Sequence, residues 1–290
     1  MAIPSLRSAL YRVTTAFWAT VLRLGAARGY FLSREMHPWE GGAALVVAPH
    51  PDDECIGAGG ATLLHRDQGD PVTVVAVTDG SASRAVAGPP RARAAVRRRE
   101  MAAACEALDV SLTWLGLLEG QWEPEAARAG LAPLIADADI LYLPSIVDFH
   151  PEHLAVARLA AGLLHPHQSV RVYELGVPLS PTLTTMLADT TAVHERAAAA
   201  LGRHASQRRA WQPLARRNAY RKALYGAAGV EPFWALNGAA YQRMVAAGEW
   251  TGHTSPFRGL RPRPFSDGWS YLLGERARRH LWHAAAGPHA

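Results

Sequence analysis

The chain has few cysteines, almost no lysine and no long apolar run, and each shortage narrows the kind of protein it can be. Two cysteines among 290 residues provide neither a disulfide framework nor a zinc-finger spacing, which favours a reducing, cytoplasmic location. No apolar stretch reaches the roughly eighteen residues that a membrane span needs. Segment 13–22 is largely apolar, but arginines bracket it and no small-residue cleavage site stands out, so we do not expect a secretory signal.

Lysine occurs once, at Lys222, and the other 29 of the 30 basic residues are arginines, which contribute to a net charge of +5. This bias is typical of a GC-rich genome. The dense basic run at residues 91–99 is explained by a solvated helix face, since a nucleic-acid surface would interleave aromatic side chains with the arginines. We therefore expect a small-molecule partner and no nucleic acid.

The first part of the chain is basic and amphipathic over residues 5–32. One interpretation is an extra helix packed on the rest of the protein; the other is a helix attached to a membrane surface. We interpret residues 1–40 as an N-terminal helical extension and residues 41–290 as a single domain, with an irregular and helical C-terminal lobe from about residue 180.

From residue 41 onward, short apolar runs alternate with segments of helical period. The predicted strands are 43–48, 71–77, 111–115, 140–143 and 170–175, and the predicted helices are 59–68, 92–108, 124–136, 153–164, 190–209 and 213–227. Alternation with continuously apolar strands predicts an α/β fold of the Rossmann-like type. In such a fold a mostly parallel sheet is flanked by helices on both faces.

The most informative segment is residues 48–54, Ala-Pro-His-Pro-Asp-Asp-Glu, which follows the first predicted strand. It places one imidazole and three carboxylates where crowded acids repel each other and ionised groups are costly to bury. An acidic helix start would explain the carboxylates through the dipole of the next helix, but it gives His50 and Pro51 no role. A bound divalent cation accounts for all four groups.

Polar side chains also follow the other predicted strands. Asp79 follows the second, Glu119 the third, and His150 and His153 the fourth. In a parallel sheet these strand ends share the carboxyl edge, which is where ligands bind. A lone His-x-x-His pair is often structural or superficial, but here it lies at the same edge as the acidic heptad.

A catalytic zinc usually has three protein ligands and one open position. His50 and Asp53 are three residues apart, so a turn leaving the strand can aim both at one point, and His153 from a neighbouring strand end would be the third ligand. Asp52 and His150 would then flank the metal and be available for proton transfer. Two imidazoles and a carboxylate accept Zn²⁺, and also Fe²⁺, Co²⁺ or Mn²⁺.

These motifs resemble those of the LmbE-like, or PIG-L, family of zinc-dependent N-acetylglucosaminyl deacetylases. The first family motif, Ala/Pro-His-Pro-Asp-Asp-Glu, matches residues 49–54. The second, of the His-Pro-Asp-His type, matches residues 150–153, with Glu152 in place of aspartate at a non-ligand position. Weaker similarities, which extend the resemblance over about residues 43–235, are found at 78–83, 97–100, 115–120, 189–191 and 206–207.

The resemblance implies a role for each residue of the two motifs. By it, His50, Asp53 and His153 bind the metal, Asp52 is the general base, and His150 polarises or protonates at the developing oxyanion.

The resemblance also implies residues that contact the substrate. Arg97 matches a residue that contacts substrate hydroxyls or phosphate, and Glu119 stands where the family has an aspartate that binds sugar hydroxyls. Arg84 lies in a variable loop and either faces the substrate or is a plain surface arginine. Glu54 is expected to brace the loop or the metal-binding His50.

The expected function is removal of the N-acetyl group from an N-acetylglucosamine-type sugar in a glycoconjugate or secondary metabolite such as an antibiotic. Asp52 or His150 would protonate the leaving amine. Two alternatives stay open: a hydrolase for a longer acyl group or a non-sugar amide, and a non-catalytic sugar-binding α/β module. Aromatic residues outside the motifs would form either an apolar wall for the aglycone or the core of the C-terminal lobe: Trp211, Phe233, Trp234, Trp250 and Phe257.

Overall fold

A computed structural model describes residues 6–30, 39–148, 150–208, 212–227, 229–248 and 268–286. Within these ranges seven strands form a single sheet. They are β1 (Ala44–Ala48), β2 (Val72–Thr78), β3 (Ser111–Leu117), β4 (Ile140–Pro144), β5 (Ser169–Tyr173), β6 (Met186–Asp189) and β7 (Val230–Asn237). The first five correspond to the five predicted strands.

The strand order is β3-β2-β1-β4-β5-β7-β6. Neighbours from β3 to β5 are parallel, whereas β7 is antiparallel to both β5 and β6. The chain adds β2 and β3 on one side of β1 and then returns to add β4 on the other side. This reversal creates a topological switch point between the carboxyl ends of β1 and β4, which is the expected position of a ligand site.

Helices pack on both faces of the sheet, so the predicted α/β architecture, with its mostly parallel sheet, is confirmed. The helices are α1 (Leu6–Ala27), α2 (Asp53–Asp67), α3 (Pro90–Leu108), α4 (Pro124–Ala136), α5 (Pro151–Ala161), α6 (His194–Leu201), α7 (Gln212–Tyr225), α8 (Gly238–Gly248), α9 (Trp269–Leu272) and α10 (Glu275–Ala286). Short 3-10 turns occur at Pro181–Leu183, Thr191–Val193 and Ala205–Gln207.

The core has two layers because side chains alternate across each strand. In β1, Leu45 and Val47 pack into the layer beneath α4, α5 and α8. Ala44, Val46 and Ala48 pack into the opposite layer, beneath α2 and α3. All five are buried, which fits the unbroken apolar run in the sequence and explains why the polar residues begin only where the strand ends.

Strands β6 and β7, which extend the same sheet, were not predicted from the sequence. β6 was missed because it has only four residues. β7 was missed because Glu231 and Pro232 interrupt the apolar pattern at its start. Phe233 and Trp234 in β7 are completely buried, so these two belong to the core and not to a substrate wall. Three of the aromatic residues lie outside the described residues: Trp211, Trp250 and Phe257.

Helix α2 starts at Asp53 and thus earlier than the predicted segment 59–68, but it is kinked. Ala58 has a non-helical conformation, and the helix restarts after it. The buried carboxylate of Glu231 accepts hydrogen bonds from the N–H groups of Gly60 and Ala61, each at 2.8 Å. It therefore caps the restarted helix, whose first N–H groups would otherwise have no partner. The predicted helix 59–68 corresponds to the part of α2 that follows this kink.

The N-terminal helix α1 packs against α7. The Arg216 guanidinium donates to the hydroxyls of Thr14 and Thr15 at 2.7 and 2.9 Å, and Leu22 packs with Tyr220 in a small apolar cluster. The face of α1 that carries Thr14, Thr15 and Leu22 is thus packed on the rest of the protein, as the first interpretation expects. None of the described helices, α1 included, is long and apolar enough to cross a lipid bilayer.

Candidate metal centre

The loops after β1 and β4 bring the two predicted motifs together at the switch point of the sheet. His50 is the second residue after β1, and Asp53 opens α2. His150 precedes α5 and His153 lies in its first turn. Each acidic or imidazole group therefore projects from a short loop or helix start anchored on a buried strand.

Three ligand atoms converge in a tight triangle. His50 Nδ1 lies 3.3 Å from Asp53 Oδ2 and 3.2 Å from His153 Nε2, and the third side, from His153 Nε2 to Asp53 Oδ2, is 3.5 Å. Atoms that bind one tetrahedral zinc at ~2.1 Å are themselves about 3.4 Å apart. The triangle therefore has the dimensions of a ligand set, and its members are the three residues predicted from the sequence.

Carboxylates outside the triangle orient both imidazoles. Asp148 Oδ2 lies 2.9 Å from His153 Nδ1, so Nδ1 carries the proton and the lone pair of Nε2 points into the triangle. Glu119 Oε1 lies 3.5 Å from His50 Nε2, which is an ion-pair distance too long for a good hydrogen bond. It favours the tautomer that leaves Nδ1 of His50 as the ligand atom.

The electrostatic field of the site favours positive charge. Burial opposes protonation of His50, but the nearby carboxylates of Asp53 and Glu119 outweigh it and raise its pKa to about 9. Burial likewise opposes protonation of His153, and the carboxylates of Asp53 and Asp148 raise its pKa to about 10. The two imidazoles hold the pKa of Asp53 far below its usual range, although burial alone would raise it. The same field favours a divalent cation, which competes with protons for these atoms.

Asp52 lies beside the triangle in a strained conformation. Its φ of 118° is unusual for a residue other than glycine and costs about 1–3 kcal/mol. Arg97 Nη2 lies 3.2 Å from Asp52 Oδ1. Burial raises the pKa of Asp52 to about 6, and the charge of Arg97 opposes this rise. A carboxylate with a pKa near neutrality is suited to accept a proton in catalysis.

Glu54 secures this loop conformation. Its Oε2 accepts a hydrogen bond from the backbone N–H of Asp52 at 3.0 Å, and its Oε1 lies 2.7 Å from His204 Nε2. The side chains of Glu54 and His204 are both fully buried. These contacts hold Glu54 against the loop, which favours the first of the two predicted alternatives.

Arg97 is buried against the same loop. It is 2% exposed, and its Nη1 lies 3.5 Å from Glu100. A Cβ at Gly80, whose φ is 67°, would lie 3.2 Å from the Arg97 side chain and 3.3 Å from Pro51. Glycine is therefore required there, both for its backbone conformation and for the close approach of Arg97.

His150 lies against the two histidines of the triangle. Its ring centroid is 4.6 Å from that of His50 and 4.7 Å from that of His153. Its Nδ1 is buried, with no hydrogen-bond partner among the described residues. Burial, followed by the proximity of His50 and His153, lowers the pKa of His150. A neutral imidazole with a free ring nitrogen can donate or accept a hydrogen bond in the site.

The remaining predicted substrate contacts lie around the loop after β2. Glu119 Oε2 accepts a hydrogen bond from the Ala82 N–H at 3.0 Å, and Asp79 Oδ1 accepts from the N–H groups of Ser81 and Glu119. Protein groups therefore engage both oxygens of Glu119. Arg84 is exposed on the same loop. Their roles toward a substrate stay predictions.

Sequence reasoning missed two residues that support the site. Asp148 orients His153, and its Oδ1 accepts the His150 N–H at 2.9 Å; a carboxylate two residues before the second motif was the available signal. His204 carried no signal, because it lies far along the chain from its partner Glu54. Glu152, between the two histidines, accepts hydrogen bonds from the Gly120 N–H and the Trp122 indole.

A second group of metal-capable side chains lies on the other side of the same loop. Glu54, Cys55 and His204 have ligand atoms within 4.8 Å of one another, and all three are buried. Glu54 and His204 already satisfy each other. Burial, with the charge of Glu54 adding to it, raises the pKa of the Cys55 thiol well above its usual value. A cation would have to displace both the thiol proton and the Glu54–His204 contact, so this group is the weaker of the two candidate sites.

The chain is similar in sequence to one protein family and to two bacterial deacetylases. Residues 45–164 match the family model described as PIG-L, GlcNAc-PI de-N-acetylase. A probable N-acetyl-alpha-D-glucosaminyl L-malate deacetylase 2 from Bacillus cereus is 35% identical over 114 residues, which are 38% of this chain and 52% of that protein. The protein of the same name from Bacillus subtilis is 35% identical over 117 residues, with the same coverage. The chain thus spans about half the length of these relatives.

Solved structures share the fold at lower identity. The N,N'-diacetylchitobiose deacetylase from Pyrococcus horikoshii superposes with a TM-score of 0.58 at 21% identity, covering 89% of this chain and 99% of its own. The A40926 pseudoaglycone deacetylase gives 0.54 at 20% identity, covering 68% of this chain and 98% of its own. The 4-carboxy-2-hydroxymuconate hydratase from Pseudomonas putida gives 0.56 at 21% identity, covering 68% and 96%. The hydratase shows that one fold serves more than one reaction.

The matched segment begins within β1 and ends just beyond α5, so it contains both sequence motifs and the whole triangle. Over residues 45–164 the chain is therefore similar to the PIG-L (LmbE-like) family.

Proposed function

We propose that this protein is a metal-dependent hydrolase that removes the N-acetyl group from an N-acetylglucosamine-type amino sugar. The observation that carries the proposal is the triangle of His50 Nδ1, Asp53 Oδ2 and His153 Nε2, with Asp52 beside it. The names of the relatives, which are deacetylases of glucosaminyl compounds, support the choice of bond and sugar.

His50, Asp53 and His153 would hold the metal, and their two nitrogens and one oxygen suit zinc, with iron, cobalt or manganese as alternatives. When bound, the metal supplies Lewis acidity toward the acetyl carbonyl and lowers the pKa of water. Asp148 and Glu119 keep the two imidazoles oriented for this task.

Asp52 is the proposed general base. It accepts a proton from the attacking water at its carboxylate, and the Arg97 guanidinium beside Oδ1 keeps that carboxylate ionised and oriented. The Glu54 hydrogen bond to the Asp52 N–H holds the loop in the conformation that aims the carboxylate into the site. General-base catalysis of this kind contributes about 10²–10⁴-fold to the rate.

His150 is proposed to stabilise the oxyanion that develops when water adds to the acetyl carbonyl. A positioned donor in that role contributes about 3 kcal/mol. Collapse of the tetrahedral species breaks the C–N bond, and Asp52 or His150 returns a proton to the departing amine. The products are acetate and a free amino sugar.

For the substrate, we propose an N-acetylglucosamine unit attached to a larger group, as in a glycoconjugate or an antibiotic precursor. Arg97, Glu119 and Arg84 are the proposed contacts. Arg97 supports this best, because its Nε is buried without a hydrogen-bond partner among the described residues. Such a donor suits sugar hydroxyls or a phosphate.

The test combines metal analysis with acetate release. Protein of measured metal content is assayed on N-acetylglucosamine, its malate glycoside and diacetylchitobiose, and on matching N-octanoyl compounds. Asp52→Asn is expected to keep its metal and lose about 10²–10⁴-fold in turnover. Asp67→Asn, at the exposed far end of α2, is the matched control and should retain activity.

Three outcomes would replace the proposal. Release of octanoate without acetate would make the protein a deacylase for longer chains. Sugar binding without release of any acid, on metal-loaded protein, would make it a binding module. Unchanged turnover of Asp52→Asn would remove Asp52 from the mechanism.

A further inference from the structure

The outer face of α1 carries a stripe of exposed apolar side chains. Leu10, Val13 and Phe17 are 62, 66 and 60% exposed, and Val21 and Leu24 continue the stripe at 38 and 51%. Their spacing of three or four residues keeps them on one side of the helix over about 21 Å. The opposite face, with Leu22, is the one that packs on α7.

Helix α9 enlarges this surface. Trp269 and Leu272 are 49 and 46% exposed, and the Trp269 ring lies 4.9 Å from Trp18 in an edge-to-face contact. Trp18 in turn contacts Phe17, with ring centroids 5.6 Å apart. The two helices therefore present one apolar surface, which we call the α1–α9 surface.

Large exposed apolar side chains are concentrated there. Among the described residues, Leu118 is the exception that lies away from α1, its following turn and α9. Single exposed apolar residues are ordinary, whereas a contiguous patch marks an interaction site. The aromatic residues of the patch, Phe17 and Trp269, are of the kind that partitions into a membrane interface.

The charge of the N-terminal segment indicates which kind of partner the α1–α9 surface binds. Residues 1–34 contain five arginines and no aspartate or glutamate. Arg12 and Arg23 are exposed on α1, and helical spacing places both to one side of the stripe. Two copies meeting through this face would bring like charges together. Residues 249–267 contain three arginines against Glu249 and Asp267, so they offer no complementary charge either.

We propose that the α1–α9 surface docks on an anionic lipid bilayer, with α1 lying in the plane of the interface. An apolar stripe with arginines along one side is the pattern of an interfacial helix. The apolar side chains enter the headgroup boundary, and the arginines contact lipid phosphates. The inner face of α1 stays on α7 through the Arg216 hydrogen bonds, so docking requires no rearrangement of the fold.

Vesicle flotation of the full chain tests this proposal. The protein is expected to float with vesicles of phosphatidylcholine mixed with phosphatidylglycerol, weakly with phosphatidylcholine alone, and less in high salt. The double variant Val13→Ser/Phe17→Ser should lose at least about tenfold in vesicle affinity. Arg12→Gln/Arg23→Gln should lose about tenfold or more on the anionic vesicles only.

Leu118→Ser is the matched control, because it removes a similarly exposed side chain elsewhere and should float like the parent protein. Circular dichroism and thermal unfolding check that each variant is folded. A parent protein that stays in the buffer overturns the proposal. A dimer in sedimentation equilibrium that Val13→Ser/Phe17→Ser dissociates also overturns it, since a second copy would then cover the stripe. Equal flotation of all variants assigns lipid binding to another surface and overturns it as well.

Discussion

Two clusters of potential metal ligands lie back to back on the loop after β1, and only one has the features of a metal centre. In the triangle of His50, Asp53 and His153, the ligand atoms face one another and outside carboxylates fix the imidazoles. In the second cluster, Glu54 and His204 are paired with each other, and the buried Cys55 resists ionisation. Donor atoms that lie close together are therefore not sufficient for a metal site, because two of those in the second cluster already pair with each other at 2.7 Å.

The difference also has a functional side. The triangle lies at the open switch point of the sheet, beside the partly exposed Asp52, whereas the second cluster is sealed inside. The second cluster nevertheless supports the first, because Glu54 holds the backbone of Asp52. We interpret the triangle as the chemical part of the loop and the Glu54–His204 pair as its structural support.

The largest effect is expected from His153→Ala, which removes one corner of the triangle. Metal bound after dialysis should fall strongly, and acetate release should drop at least about a thousandfold, since the proposed Lewis acid is lost. Atomic absorption and the acetate assay measure both. His167→Ala, a histidine outside the site, provides the comparison, and retained metal in His153→Ala would contradict the assignment.

Substitution of His204 should break the structural support and leave the metal in place. His204→Ala leaves the Glu54 carboxylate buried without its partner, so the free energy of unfolding should fall by about 3–5 kcal/mol. Denaturant unfolding measures this loss, and metal content per folded protein should not change. His204→Gln, which can still donate to Glu54, should recover part of the stability. If folded His204→Gln protein lost its metal, the second cluster would be shown to bind metal, contrary to this prediction.

Asp148→Asn tests the carboxylate that orients His153. The exchange keeps the shape of the side chain and removes its charge, and changes of this kind in a carboxylate–histidine–metal arrangement cost about 10–100-fold in metal affinity or activity. Competition with a chelator gives the metal affinity. Asp139→Asn, near the opposite edge of the sheet, is the control. Equal affinity in Asp148→Asn and the parent protein would show that His153 is oriented by other contacts.

Much of this architecture was predictable, because the first five strands and the residues of the triangle follow from local patterns. Apolar runs locate the strands, and parallel pairing brings their polar ends to one edge. The second half of α2 was also predicted, although its first turn was not. That turn is set by the Asp52 loop and by a kink that the distant Glu231 caps.

The parts that escaped prediction depend on contacts between residues far apart in sequence. β7 carries Glu231 and Pro232, which look like breaks in a strand pattern. In the fold they lie opposite β6, and the distant N–H groups of Gly60 and Ala61 bind the Glu231 carboxylate. His204 becomes meaningful only when the fold brings it to Glu54, 150 residues away. Such pairs leave no local periodicity, so pattern reasoning on one sequence cannot find them.

Of these substitutions, Cys55→Ala is expected to change metal content and activity least. It tests most directly whether the second cluster differs from the triangle in metal binding. If the second cluster binds no metal, loss of the thiol should leave metal content unchanged and activity within about twofold, with a stability loss of about 1 kcal/mol from the small cavity. Metal analysis, the acetate assay and denaturant unfolding on the same preparation measure all three. Cys105→Ala, the other buried free cysteine, controls for general loss of packing. A fall in metal content in Cys55→Ala but not in Cys105→Ala would mean that both clusters bind metal, and the contrast between them would then lie in function alone.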